Sequence, residues 1–83
     1  MAWLVKLMKD GKRLADAESF DAVHSAVQAG NSALRNGDAD EVMIASRHHE
    51  AIYYQFSSVR TASEEQRMAQ MLGTELAIAK TTI

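Results

Sequence analysis

A small α+β domain is what this sequence predicts: a small antiparallel sheet of two β-hairpins with two helices packed on one face, in the order ββαββα. Three observations predict it. A hairpin pattern followed by a helical period occurs twice, over residues 3–36 and again over 41–80. Asp10-Gly11 suits a tight type I′ turn, and Asn36-Gly37 suits a helix stop. The two units nearly fill the 83 residues, so 1–83 reads as a single compact domain. The halves share a pattern and not residues, so the repeat is one of architecture. The alternative order is βαββα, with residues 12–18 as a loop and a three-stranded sheet.

Trp3 to Lys9 is rich in strand formers. A two-residue turn after it sets Leu7 opposite Leu14 and Leu4 opposite Ala17. One face then holds Trp3, Val5, Leu7 and Leu14; the other holds Leu4, Lys6, Met8, Arg13 and Ala15. Asp16 would fall beside Val5 on the apolar face, so the return strand is expected to end near Ala15. Ser19 is the expected N-cap of the first helix, with Asp21 at the positive end of its dipole. Phe20, Val23, Val27 and Leu34 recur at helical spacing, with Ala26 and Ala33 beside them. Gly30 interrupts this helix and weakens it. Asp38-Ala39-Asp40 is the connector.

Val42 to Ser46 and Ala51 to Phe56 read as the second pair of strands. An odd loop between them pairs Ile44 with Ile52 and Val42 with Tyr54. That gathers Val42, Ile44, Ile52, Tyr54 and Phe56 on one face, a better core than an even loop gives. Thr61 with Glu64, and Ser63 with Gln66, both match the capping box that opens a helix. Met68, Leu72, Leu76 and Ala79 form its apolar stripe, which Met71 and Ile78 widen, and Lys80 to Ile83 is expected to fray.

Composition narrows the function classes. There is no Cys, which rules out disulfides and thiolate metal sites, and no Pro-rich linker. The net charge of −2 argues against bulk attraction to nucleic acid. Lys6 interrupts the opening apolar run too early for a secretory segment, and no stretch nears the roughly 20 apolar residues of a membrane span. The expected setting is the cytoplasm.

No motif carries chemistry. His48-His49-Glu50 contains metal-ligand types, but adjacent residues on a strand point to opposite faces, and a water-facing turn accounts for them. His24 lies on a helix with nothing to bring it near. No nucleophile elbow or Gly-rich phosphate loop is present. The expectation is a protein that is not an enzyme, with no cofactor and no metal.

Three surfaces remain as candidates. The sheet face away from the helices would carry Leu4, Met8, Met43 and Tyr53, more apolar than a solvent-facing sheet requires. Lys6, Lys9, Lys12 and Arg13 surround one Asp10 and would make a basic hairpin. Asp38, Asp40 and Glu41 would make an acidic loop. The expected function is a non-catalytic protein-binding module, an inhibitor or adaptor that occludes a surface of a larger protein or complex. Size and composition suit a phage- or plasmid-encoded accessory protein aimed at a host machine. A homodimer is the other way to cover the open face. The alternative is a nucleic-acid-binding accessory protein using the basic hairpin.

Overall fold

Strand β1 (Trp3–Lys9) is paired along both of its edges, and the sheet grows outward from it. The computed structural model describes residues 2–14, 18–49 and 51–81. On one side β1 meets two short segments, β2 (Lys12–Arg13) and β3 (Glu18–Phe20). On the other it meets β4 (Glu41–Ser46), and β5 (Tyr53–Phe56) lies beyond β4. Every pairing is antiparallel. Helices α1 (Val23–Arg35) and α2 (Ala62–Thr81) complete an α+β fold in the ββαββα order, with its second strand split in two.

The split follows from a change of register. Asp10 and Gly11 have φ of 53° and 76°, the pair of positive values that a two-residue I′ turn requires. That turn sets Lys9 against Lys12 and Met8 against Arg13, and the Leu14 N–H donates to the Leu7 carbonyl at 2.9 Å, as expected. Further back, Val5 pairs with Glu18, Leu4 with Ser19 and Trp3 with Phe20. Leu4 therefore faces Ser19, and the register here differs by two residues from that set by the turn. A slip of two keeps every side chain on its original face. It also sets Phe20 across from Trp3, where it packs against the core. Ser19 and Phe20 consequently belong to β3 and not to the helix. The N-cap of α1 is Ala22, which makes no side-chain capping bond, and Asp21 precedes it. Leu14 sits at the sheet edge, 38% exposed, and is not in the core. The expectations for Ala15, Asp16, Ala17 and Glu50, and for the fraying of Thr82 and Ile83, fall outside the described residues. Lys80 and Thr81 are helical.

The loop between β4 and β5 is odd in length, but two residues longer than expected. The Ser46 N–H donates to the Ile52 carbonyl at 3.0 Å, leaving 47–51 as the connection. Ile44 therefore faces Tyr54, and Val42 faces Phe56. The core face is the expected one: Trp3, Val5, Val42, Ile44 and Phe56 are buried against Ala26 and Val27 of α1 and Met68, Ala69, Leu72 and Leu76 of α2. The stripe of α2 widens toward Ala69. Met71 and Ile78 lie on the outside, Ile78 59% exposed.

Gly30 is required by this packing. A Cβ there would meet Val42 Cγ1 at 2.5 Å, with Ile44 and Phe56 also close. The helix lies on the sheet at a distance only glycine permits. Gly73 has nothing within 4 Å of the corresponding position.

Asn31, fully buried on α1, ties the helices together. Its Nδ2 donates to the Arg60 carbonyl at 2.8 Å and to Glu65 Oε2 at 2.6 Å, and its Oδ1 accepts the Arg60 N–H at 2.8 Å. Thr61 then caps α2 through the reciprocal box: Thr61 N–H to Glu64 Oε1 at 3.0 Å and Glu64 N–H to Thr61 Oγ1 at 3.2 Å.

Two expectations follow for stability. Gly30→Ala gains helix propensity but overpacks stiff Val42, for a net loss of about 1–2 kcal/mol, whereas Gly73→Ala stabilises by up to about 1 kcal/mol. Denaturant melts of the two variants check the opposite signs. Asn31→Ala strands the Arg60 amide and carbonyl and costs about 2–4 kcal/mol. A midpoint within error of the parent would show that the buried amide is not a determinant of stability.

Candidate functional site

The sheet face opposite the helices is arranged in rows set by the register. Leu4, Ala45 and Tyr53 form one row, continued by Ser19 at the β3 edge. Lys6, Met43 and Gln55 form the next, and Met8 with Glu41 and Arg13 forms the last. Neither helix covers these rows, because both pack on the Trp3–Val5 side. Ala45 is nonetheless buried, enclosed by its taller neighbours Leu4 and Tyr53. Tyr53 stands 50% exposed, while Leu4, Met8 and Met43 are half-buried. Lys6, Met8, Arg13, Glu41 and Met43 line a shallow depression of about 230 Å³. The four apolar candidates thus share one face.

The basic hairpin does not form one surface. Alternation sends Lys6 and Arg13 to this open face and Lys9 and Lys12 to the other. The Lys9 ammonium donates to the Gly37 carbonyl. Gly37, at φ 77°, is the left-handed residue of a Schellman stop: its N–H donates to the Leu34 carbonyl at 3.2 Å and the Asp38 N–H to the Ala33 carbonyl at 2.9 Å. The acidic loop is dispersed too. Asp38 belongs to that stop, and Asp40 Oδ2 accepts the Asp10 N–H at 2.9 Å. The Asp40 N–H donates to the Met8 carbonyl at 2.8 Å. Glu41 alone joins the open face. Hairpin tip and acidic loop are therefore bonded to each other.

His48 is exposed and His49 half-buried, its carbonyl accepting the Ile52 N–H at 2.8 Å. His24 is exposed on α1. Among the described residues no three of His, Cys, Asp and Glu come together in a way that could hold a metal ion. No helix among them is long and apolar enough to cross a membrane.

A second depression, about 320 Å³, runs between β5 and the first turns of α2, lined by Tyr54, Arg60, Glu64, Arg67, Met68 and Met71. Sequence reasoning missed it. The capping box was visible, but nothing showed that the preceding Arg60 is drawn inward by Asn31. The Arg60 guanidinium lies 5.9 Å from the Phe56 ring centroid and pairs with Glu64 at 3.3 Å. The Thr61 backbone N–H and hydroxyl, and then Arg60, hold the Glu64 carboxyl below its ordinary value of 4.5.

Comparison with protein-family models, with curated proteins and with solved structures returns no match.

The lowered Glu64 value has a defined pH consequence. The native state holds this carboxylate charged more tightly than the unfolded chain does. Its contribution is full above 4.5 and is lost as pH falls through the lower native value. Glu64→Gln is expected to flatten the acid limb of stability against pH. Denaturant midpoints followed downward from neutral pH, parent against variant, check this; parallel limbs would contradict it.

Proposed function

We propose that this chain is a non-catalytic protein-binding module that acts by occlusion. It covers a surface of a larger partner with the open face of its sheet, as an inhibitor or adaptor working in the cytoplasm. One observation carries the reading: Leu4, Met8, Met43 and Tyr53 share a face that no described element covers. Met adapts to irregular surfaces, and Tyr joins apolar area to a hydrogen-bonding tip, which suits both to a contact centre. Lys6, Arg13 and Glu41 frame it with charge, two cations to one carboxylate, so the matching surface is apolar with an acidic rim. The non-catalytic part of the reading rests on the lack of any catalytic motif in the sequence. A small protein that blocks a host machine, encoded by a phage or plasmid, fits this mode of action.

The nucleic-acid alternative is less well supported. A phosphate backbone is followed by cations on one surface. Here Lys9 and Lys12 face away from Lys6 and Arg13.

A photo-crosslinking side chain at position 53, with a matched one at Thr74 on the outer side of α2, tests the proposal in cells of the native host. One protein crosslinked from position 53 and not from 74 is expected. Tyr53→Asp and Met43→Asp should each weaken its binding by at least about tenfold in purified form, with the melting transition retained. Equal crosslinking from both positions, crosslinks only to a second copy, or unchanged binding by both variants would overturn the assignment of this face.

A further inference from the structure

The two edges of the sheet are built differently. The β2–β3 edge changes register between Arg13 and Glu18, and it carries Lys12, Arg13 and Glu18. Changes of register and charge are among the devices by which edge strands avoid pairing with other chains. The β5 edge has neither. Tyr53-Tyr54-Gln55-Phe56 is continuous and uncharged. The hydrogen-bonded pair of Ser46 and Ile52 fixes its alternation: backbone groups of Ile52, Tyr54 and Phe56 face β4, and those of Tyr53 and Gln55 point outward. Two N–H and two carbonyl groups thus form an open row, with no backbone partner among the described residues.

Beside that row lies the groove between β5 and α2. Tyr54, Met68 and Met71 make its apolar part, and Met71 is 40% exposed. Arg60 is paired with Glu64, while Arg67 has no ion-pair partner among the described residues. Two arginines against one glutamate leave the groove with an uncompensated positive charge.

The geometry points to strand addition at this edge: β5 accepts an extended segment of a partner protein in which apolar and acidic side chains occupy alternate positions on one face. Main-chain bonds form to Tyr53 and Gln55. Every second side chain of the segment enters the groove, an apolar one against Tyr54 and Met71 and a carboxylate against Arg67. The charge decides between occupants. A second copy paired across β5 would bring two cationic grooves together, whereas an acidic strand neutralises one. The edge shares Tyr53 and Gln55 with the open sheet face but uses their backbone groups and the groove at Arg67 instead of their side chains, so the Arg67 variants test it alone.

Selection of a displayed random heptapeptide library on the whole 83-residue chain tests this. The enriched peptides should carry an apolar residue and an Asp or Glu two positions apart, on the same face of the strand. Titrated with the most enriched peptide, the isotope-labelled chain should show slowed exchange at the Tyr53 and Gln55 amides and shifts at Arg67. Arg67→Glu should weaken binding at least tenfold, and Arg67→Lys should largely retain it. The site is exposed, so both variants fold. No enrichment, enriched peptides without acidic residues, or affinity indifferent to Arg67→Glu would overturn the proposal. So would protection of Tyr53 and Gln55 without peptide in a concentration-dependent dimer, which would assign the edge to a second copy.

Discussion

A carboxamide sealed from water must find partners for its oxygen and both its N–H groups, and Asn31 finds them on Arg60, just before α2, and on Glu65 in its first turn. Its bonds to the Arg60 N–H and carbonyl imitate one rung of a β-ladder, made between a helix and a chain that belongs to neither helix nor strand. Arg60 fixed in this way puts Thr61 where it can cap α2, and a capped α2 lays Met68, Leu72 and Leu76 on α1. In a chain of 83 residues without disulfides, apolar burial alone leaves the angle of a helix loosely defined. A directional buried bond defines it, at the cost of requiring every partner to be present.

Charge is used in the same local way at the opposite end. Lys9 reaches the helix stop at Gly37, and Asp40 holds the hairpin turn through the Asp10 N–H. These bonds lock the first hairpin to the α1–β4 connection and withdraw Lys9 and Asp40 from any outward task. The residues left free on the open face are Lys6, Arg13 and Glu41, placed singly among Leu4, Met8 and Met43. That spacing interrupts an apolar face that would otherwise promote aggregation.

The strands of this fold were legible because alternation and turn chemistry are local. Asp10-Gly11 set its own turn, and the parity of the second loop followed from which residues had to face inward. Two-residue slips were not legible. A shift by two leaves the pattern of faces unchanged, so the pattern cannot distinguish Leu4 opposite Ala17 from Leu4 opposite Ser19. Phe20 reads as helical for a related reason: its spacing from Val23 and Val27 is helical, and only Trp3 across the sheet argues for the strand. Asn31 gave no signal at all. A polar residue in mid-helix reads as solvent-facing until its partner, 29 residues away, is known. The four apolar residues of the open face were placed correctly, since facing follows from alternation. The groove beside β5 was not foreseen, because it depends on the Asn31 bond.

The loop of residues 47–51 connects these points. With a loop two residues shorter, Tyr54 would face Val42, and Phe56 would lie past the end of β4. At the observed length Phe56 faces Val42 under Gly30, where its ring closes the core and underlies the Arg60 guanidinium. Only three residues separate Phe56 from Arg60, so the position of one restricts the other. The register that completes the core is therefore also the register that carries Arg60 to Asn31. It further decides that Tyr53 and Gln55, and not Tyr54 and Phe56, turn their backbone groups outward. Core, helix placement and open edge depend on one choice of loop length. A change in that loop would therefore be felt at all three, although none of its described residues belongs to the buried core.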